Sequence, residues 1–282
     1  MAQADHSLAA FHRRSIDDRQ GFWREQAELI HWHRPFETVL DDSRLPFARW
    51  FVGGETNLCY NAVDRHLDTL GDRPALIFVS SETSEERTYS FRDLHAEVNS
   101  MAATMQSLGV KRGDRVLIYM PMIPEAAFAM LACARIGAIH SVVFGGFASH
   151  SLASRIDDAR PALVISADAG SRAGKVIPYK VLLDEAISLS TAPPGAVLMV
   201  DRGLAPFAQT AGRDHRYSEW RKRHKGASVP VTWLESNEVS YTLYTSGTTG
   251  KPKGVQRDVG GYAVALAASD RKSTRLNSSH AN

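Results

Sequence analysis

One segment of the chain, residues 245–254, carries the residue types that bind polyphosphate. It combines hydroxyl-bearing residues, glycines and two lysines: Thr245, Ser246, Gly247, Thr248, Thr249, Gly250, Lys251 and Lys253. Glycines allow backbone N–H groups to converge on an anion. The hydroxyl and ammonium groups supply further donors to phosphate oxygens. The sequence therefore predicts a phosphate-binding loop in preference to an ordinary turn rich in serine and glycine.

The segment before this loop, residues 239–244, is rich in β-branched and aromatic residues, which favours a strand that delivers the loop. The better-known nucleotide loop needs glycine, four residues and then Gly-Lys-Ser/Thr at the start of a helix. Here Thr245 stands in place of the first glycine, and Pro252 follows Lys251. Because residues 252–256 are expected to be extended, we interpret the whole as a strand–loop–strand phosphate clamp and not as a P-loop.

Two further loops that contain glycine follow predicted strands. They are residues 144–147 and residues 167–175, and in the second Arg172 and Lys175 bracket a turn of small residues. In open α/β sheets, ligands bind beyond the carboxyl ends of the strands, where such loops lie. Two cations beside an approachable backbone suit a phosphorylated ligand. From the residues alone, a surface turn with solvated charges explains the second loop at least as well.

The loop at residues 245–254 resembles the phosphate-binding signature of the adenylate-forming acyl-CoA synthetases. Three further segments, residues 57–65, 135–147 and 166–175, resemble the acetyl- and propionyl-CoA synthetase branch of that family. The resemblance covers about residues 10–269. It implies an enzyme that joins a short carboxylate to coenzyme A with ATP and Mg²⁺, through an acyl-adenylate.

Within this branch, residues 234–238 and 254–262 are most similar to the propionate-activating members. Propionate is therefore the expected substrate, and acetate is the alternative within the class. A non-catalytic module that binds a nucleotide or coenzyme A is the alternative from another class. The expected partners are small molecules only, with neither nucleic acid nor membrane among them.

The resemblance also implies which residues bind each substrate. The loop from Thr245 to Lys251, with Lys253, would hold the phosphates of ATP. The coenzyme A site of the family is matched by Phe144, Gly145, Gly146, Arg172, Ala173, Gly174 and Lys175. The catalytic lysine, magnesium ligand and acyl pocket of the family have no match here, so we expect neither a catalytic nor a metal-binding residue in this chain.

Composition and charge narrow the possible partners and the compartment. The chain has 282 residues, is 44% hydrophobic and 23% charged, and its net charge is +2. Residues 270–282 contain three cations and one aspartate, which account for that charge and leave no general argument for nucleic acid or membrane binding. Cys59 and Cys133 lack disulfide or metal-ligand spacing, and the first residues lack a signal-peptide pattern. We expect a cytoplasmic setting.

From residue 61 onward, strand-like and helix-like segments alternate, which predicts an α/β domain of layered sheets with flanking helices. The predicted strands are apolar on both faces, which favours parallel strands covered by helices. They lie at residues 74–79, 115–120, 139–144, 162–166 and 196–200, with helices at 91–108, 124–136 and 149–159. A basic segment, residues 213–225, is predicted to be a helix with Tyr217 and Trp220 inward, rather than a nucleic-acid site.

We divide the sequence into three parts. Residues 1–62 are rich in aromatic residues and resemble the N-terminal segment peculiar to the acetyl/propionyl branch. Residues 63–269 resemble the N-terminal part of an AMP-binding (adenylation) domain, and the resemblance implies that this domain is incomplete at its C-terminal end. Residues 270–282 look foreign to the family and are expected to be disordered. Because much of the electrostatic site is missing, we expect the chain alone to be inactive.

Overall fold

The computed structural model describes residues 8–172, 174–245 and 252–278, which form two compact units. The helices are α1 (Leu8–Asp17), α2 (Arg19–Gln26), α3 (Leu58–Ala62), α4 (Leu67–Leu70), α5 (Phe91–Ser107), α6 (Pro124–Ile136), α7 (Ser149–Ala159), α8 (Tyr179–Leu189), α9 (Tyr217–Arg223) and α10 (Gly260–Ser278). The strands are β1 (Thr38–Asp41), β2 (Arg49–Val52), β3 (Glu55–Thr56), β4 (Pro74–Ser80), β5 (Glu85–Ser90), β6 (Arg115–Met120), β7 (Ile139–Phe144), β8 (Leu163–Ala167), β9 (Gly170–Arg172), β10 (Lys175–Ile177), β11 (Ala196–Val200), β12 (Asp214–Arg216), β13 (Leu234–Glu235), β14 (Val239–Thr245) and β15 (Lys253–Asp258).

The first unit combines the N-terminal residues up to Asn57 with two later segments, Trp233–Glu238 and the chain from Asp258 onward. Phe22 and Phe51 are buried in it, because large aromatic side chains gain most from leaving water. Strand β3 pairs with β13, and α10 packs against α2 and β2. The sequence analysis places a domain boundary after residue 62. The N-terminal segment of this unit ends at Asn57, and the unit also includes the two segments from much later in the chain.

The second unit, Leu58–Thr232 with Val239–Arg257, is organised around a sheet. Within the described residues this sheet has seven strands in the order β12-β11-β8-β6-β7-β14-β15. The pairs from β12 to β14 are all parallel. Strands β8 and β11 are buried along their whole length, as expected of parallel strands with helices on both faces. The predicted α/β class is confirmed.

Local signals set several helix boundaries as the sequence predicted. The Ser90 hydroxyl accepts from the Asp93 backbone N–H, and the Asp93 carboxylate accepts from the Ser90 backbone N–H, so a capping box begins α5. Pro124 begins α6, and Gly137 ends it with φ 74, a left-handed conformation that favours glycine. In the basic segment, α9 forms with Tyr217 buried.

Two expectations differ from the structure. The apolar segment 74–79 does not join the parallel sheet: β4 pairs with β5 in an antiparallel hairpin, where Ile77 and Val79 are 61% and 70% exposed. An apolar run indicates a strand but not its partner, and the nearby polar β5 supplies one. The second difference is α10, which continues to Ser278 where disorder was expected from residue 270. Extending an existing helix needs no new nucleus.

Candidate functional site

The two ends of the predicted phosphate loop lie side by side. Thr245 ends β14, Lys253 begins β15, and these strands are neighbours in the sheet. The Thr245 hydroxyl donates to the Lys253 carbonyl oxygen over 3.4 Å. A Cβ on Gly254 would lie 3.0 Å from Thr242 Cγ2, so the strands approach closely here. The strand–loop–strand arrangement therefore holds at both ends, while Ser246, Gly247, Thr248, Thr249, Gly250 and Lys251 lie outside the described residues.

Arg155 of α7 contacts both the base of this loop and the predicted loop at residues 144–147. Its guanidinium carbon lies 4.8 Å from the ring centre of Phe147 and 5.6 Å from that of Tyr244, distances at which a cation is attracted to an aromatic face. The Tyr244 hydroxyl also donates to Asp158 over 2.6 Å. Burial, reinforced by this carboxylate, raises the pKa of Tyr244, so the tyrosine stays protonated and keeps its donor.

The predicted loop at residues 167–175 contains a hairpin in the structure. Strands β9 and β10 are antiparallel, with Arg172 directly opposite Lys175. Gly174 turns the chain with φ 75, which a side chain would disfavour, and Ala173 lies outside the described residues. Both cations are exposed, and within the described part of the chain neither forms an ion pair. Like charges opposite each other repel, so this turn is suited to an anion.

Tyr179, at the start of α8, joins the two glycine-containing loops. A Cβ on Gly145 would lie 2.4 Å from its hydroxyl oxygen, and one on Gly170 would lie 2.5 Å from the same atom. The ring packs against Tyr119, whose hydroxyl donates to the Phe147 carbonyl oxygen over 3.1 Å. Both glycines are therefore required by one buried ring. The sequence did not identify Tyr179, because no local pattern ties it to either loop.

This contact predicts that Gly170→Ala destabilises the protein by about 1–3 kcal/mol, because the new methyl group must displace a buried ring. Gly195→Ala is the matched control: a Cβ there meets open space within 4 Å, and surface changes of this kind stay within about 0.5 kcal/mol. Urea unfolding of both variants measures the difference. Equal unfolding free energies for the two variants would show that Tyr179 does not constrain the loop.

Phe144 is the last residue of β7, and Gly145 and Gly146 follow it directly. Phe144 is 63% exposed, and a Cβ on Gly146 would lie 3.5 Å from Ile177 Cδ1 of β10. The structure thus brings the first predicted coenzyme A loop beside the hairpin that carries the two cations. Through Arg155 it also brings Phe147 beside the base of the phosphate loop.

Nucleophilic and metal chemistry find little support in the described residues. Burial raises the pKa of the Cys59 thiol to about 12 and also raises that of Cys133, so both stay protonated. Across the described ranges, no three His, Cys, Asp or Glu side chains are grouped so that they could hold a metal ion. Among the helices described, none is both long and apolar enough to cross a membrane.

The fold is that of an α/β protein in which the predicted ligand-binding loops follow the carboxyl ends of parallel strands. The chain belongs to the AMP-binding enzyme family, whose sequence model matches residues 63–280. Residues 8–62 match a second family, the acetyl-coenzyme A synthetase N-terminus. The resemblance inferred from the sequence is confirmed.

Individual relatives include two propionate–CoA ligases. The chain is 66% identical to that of Salmonella typhimurium and 65% identical to that of Escherichia coli, each over 93% of this chain and 42% of the relative. It is 46% identical to acetyl-coenzyme A synthetase of Thiobacillus denitrificans, over 91% of this chain and 39% of the relative. The structure of acetoacetyl-CoA synthetase from Streptomyces lividans superposes with a TM-score of 0.84 at 30% identity, over 94% of this chain and 40% of that one. The chain thus spans about two fifths of the length of these relatives.

Proposed function

We propose that this chain is the N-terminal part of an ATP-dependent propionate–CoA ligase. The whole enzyme would convert propionate, ATP and coenzyme A into propionyl-CoA, AMP and pyrophosphate through propionyl-adenylate. The main support is the identity of 65–66% to two propionate–CoA ligases, against 46% to an acetyl-coenzyme A synthetase. The chain by itself is proposed to be inactive.

In the first step, the propionate carboxylate attacks the α-phosphate of ATP and pyrophosphate leaves. We assign the ATP phosphates to the loop from Thr245 to Lys251, with Lys253. The support is the residue types of the loop and the close pairing of β14 with β15 at its base. Donors held in place before the reaction stabilise the charge that develops on the phosphates.

In the second step, the thiolate of coenzyme A displaces AMP. We assign the phosphorylated end of coenzyme A to Arg172, Ala173, Gly174 and Lys175, and one wall of this site to Phe144, Gly145 and Gly146. The support is the pair of opposed cations on the hairpin and the contacts of Gly145, Gly146 and Gly170 that bring the two loops together.

Magnesium would neutralise phosphate charge when bound with ATP. We assign no residue of this chain to it, because the described residues hold no group of carboxylates or histidines suited to a metal. We likewise assign no catalytic residue. A cytoplasmic setting is part of the proposal, since Cys59 and Cys133 are both free thiols.

The experiment compares the 282-residue chain with a full-length protein that contains it. We expect propionate-dependent ATP–pyrophosphate exchange and thioester formation from the full-length protein only. Propionate should exceed acetate in kcat/KM by about 10- to 200-fold, the discrimination that one methylene provides. A preference for acetate would favour an acetate–CoA ligase. Binding of ATP or coenzyme A without exchange by the full-length protein would favour a non-catalytic module.

A further inference from the structure

The hairpin that carries Arg172 and Lys175 is held at three consecutive residues: the one just before its first strand and the first two residues of that strand. The Arg202 guanidinium donates to the Ala169 carbonyl oxygen over 3.0 Å. The next residue, Gly170, packs against the Tyr179 hydroxyl. The Ser171 backbone N–H donates to Glu82 Oε1 over 3.1 Å. Glu82 lies in the turn between β4 and β5, far away in sequence, and it is the one acidic side chain in this set of contacts.

Glu82 and Arg202 act together in this anchor. Glu82 Oε2 lies 2.6 Å from an Arg202 guanidinium nitrogen, and the two side chains are 24% and 9% exposed. The loop that bears Arg202 is itself fixed by the buried carboxylate of Asp168. That carboxylate accepts from the backbone N–H groups of Arg202, Leu204 and Ala205 at 3.1, 2.8 and 3.2 Å. These hydrogen bonds fix the loop that bears Arg202, so its guanidinium is held in position to pair with Glu82.

The hairpin needs such an anchor. Each of its strands has three residues, and an isolated two-stranded hairpin is marginally stable in water. Its opposed cations, Arg172 and Lys175, add repulsion. Without the Glu82 carboxylate, the Arg202 guanidinium would lose its counter-ion and the Ser171 N–H would lose its acceptor.

We propose that Glu82 is a positioning residue for coenzyme A: through Ser171 and Arg202 it holds the β9–β10 hairpin so that Arg172 and Lys175 face the phosphorylated end of that substrate. The inference rests on the proposed function and goes beyond it by assigning a role to a residue that contacts no substrate. It also predicts that Glu82 affects only one of the two half-reactions.

The test uses the full-length protein and measures the half-reactions separately. Glu82→Ala should raise the KM for coenzyme A about 10-fold in thioester formation from supplied propionyl-adenylate, the effect of losing one hydrogen bond with a charged partner. Propionate-dependent ATP–pyrophosphate exchange should stay within about two-fold, because the anchor contacts among the described residues do not involve β14 or β15, the strands that flank the phosphate loop. Glu82→Gln, which keeps one acceptor for Ser171, should show a smaller increase in KM.

Two controls make the result specific. Glu85→Ala removes another carboxylate of the same β4–β5 hairpin, one that pairs with Arg87 of its own strand, and it should leave both half-reactions unchanged. Glu82→Ala should add little to the KM of a variant that already lacks Arg172 and Lys175, because its effect passes through them.

The outcomes separate the two proposals. If the unsubstituted full-length protein forms no propionyl-CoA, the proposed function fails. If it does so and Glu82→Ala leaves the KM for coenzyme A unchanged, or slows both half-reactions equally, the positioning role is wrong. Should Glu82→Ala fail to fold, Glu82→Gln decides the question by the same comparison of half-reactions.

Discussion

Lys251→Ala in the full-length protein is expected to slow propionate-dependent ATP–pyrophosphate exchange by about 100- to 1000-fold, the usual effect of removing one preorganised group that stabilises transition-state charge. Lys251 follows the glycines of a loop whose two ends, Thr245 and Lys253, are joined by the pairing of β14 with β15. The measurement is exchange at saturating ATP and propionate.

A matched control and a second readout test this assignment. Lys222→Ala removes an exposed lysine from α9. This helix packs against β11 and β12, at the edge of the sheet opposite to the edge formed by β14 and β15. It should leave exchange unchanged. Thioester formation from supplied propionyl-adenylate should lose less activity in Lys251→Ala than exchange does, because the triphosphate is absent from that step. Equal losses in both half-reactions would refute a phosphate-binding role for Lys251.

Asp64→Ala is expected to destabilise the protein by about 3–5 kcal/mol, because it leaves a buried guanidinium without its counter-ion. One nitrogen of Arg135 lies 2.9 Å from both Asp64 carboxylate oxygens, and the two side chains are 5% and 13% exposed. Arg135 Nε also donates to the Val229 carbonyl oxygen over 2.6 Å. Urea unfolding should show the loss as a lower midpoint at an unchanged slope.

The surface pair of Arg92 with Asp72 provides the control for Asp64→Ala. These side chains are 3.0 Å apart but 57% and 90% exposed, and such pairs contribute at most about 1 kcal/mol. Asp72→Ala should therefore have a small effect. Replacing Asp64 and Arg135 together by leucine and methionine should cost less than Asp64→Ala, since no buried charge remains. A double variant no more stable than Asp64→Ala would contradict this explanation.

The same ion pair predicts the direction of acid destabilisation. Burial opposes ionisation of Asp64, but hydrogen bonds and charges from His95 and Arg135 more than offset it, so its pKa is lowered on folding. A lowered carboxyl pKa stabilises the folded state above the unfolded value of about 3.9. That contribution is lost as the pH falls through the lowered pKa. The stability difference between the unsubstituted protein and Asp64→Ala should narrow on acidification below about pH 4.

Local chemistry in the sequence accounts for much of the second unit. The capping box at Ser90, the proline at the start of α6 and the glycine at its end act within a few residues, so they can be read without a structure. The same holds for the strand before the phosphate loop and for the apolar runs that became β6, β7, β8 and β11. The resemblance to the family could also be recognised from the sequence, because each motif that carries it is a contiguous run of residues.

The supports of the site depend on contacts between residues far apart in the chain. Glu82 meets Ser171 and Arg202 across 89 and 120 positions, and one buried tyrosine ring dictates two glycines in separate loops. Hydrophobic periodicity reports which face of an element is buried but not what buries it. For that reason the sequence pattern predicted the wrong sheet for β4. The anchor of the cationic hairpin could be recognised only in the folded structure, where Glu82, Ser171 and Arg202 come together.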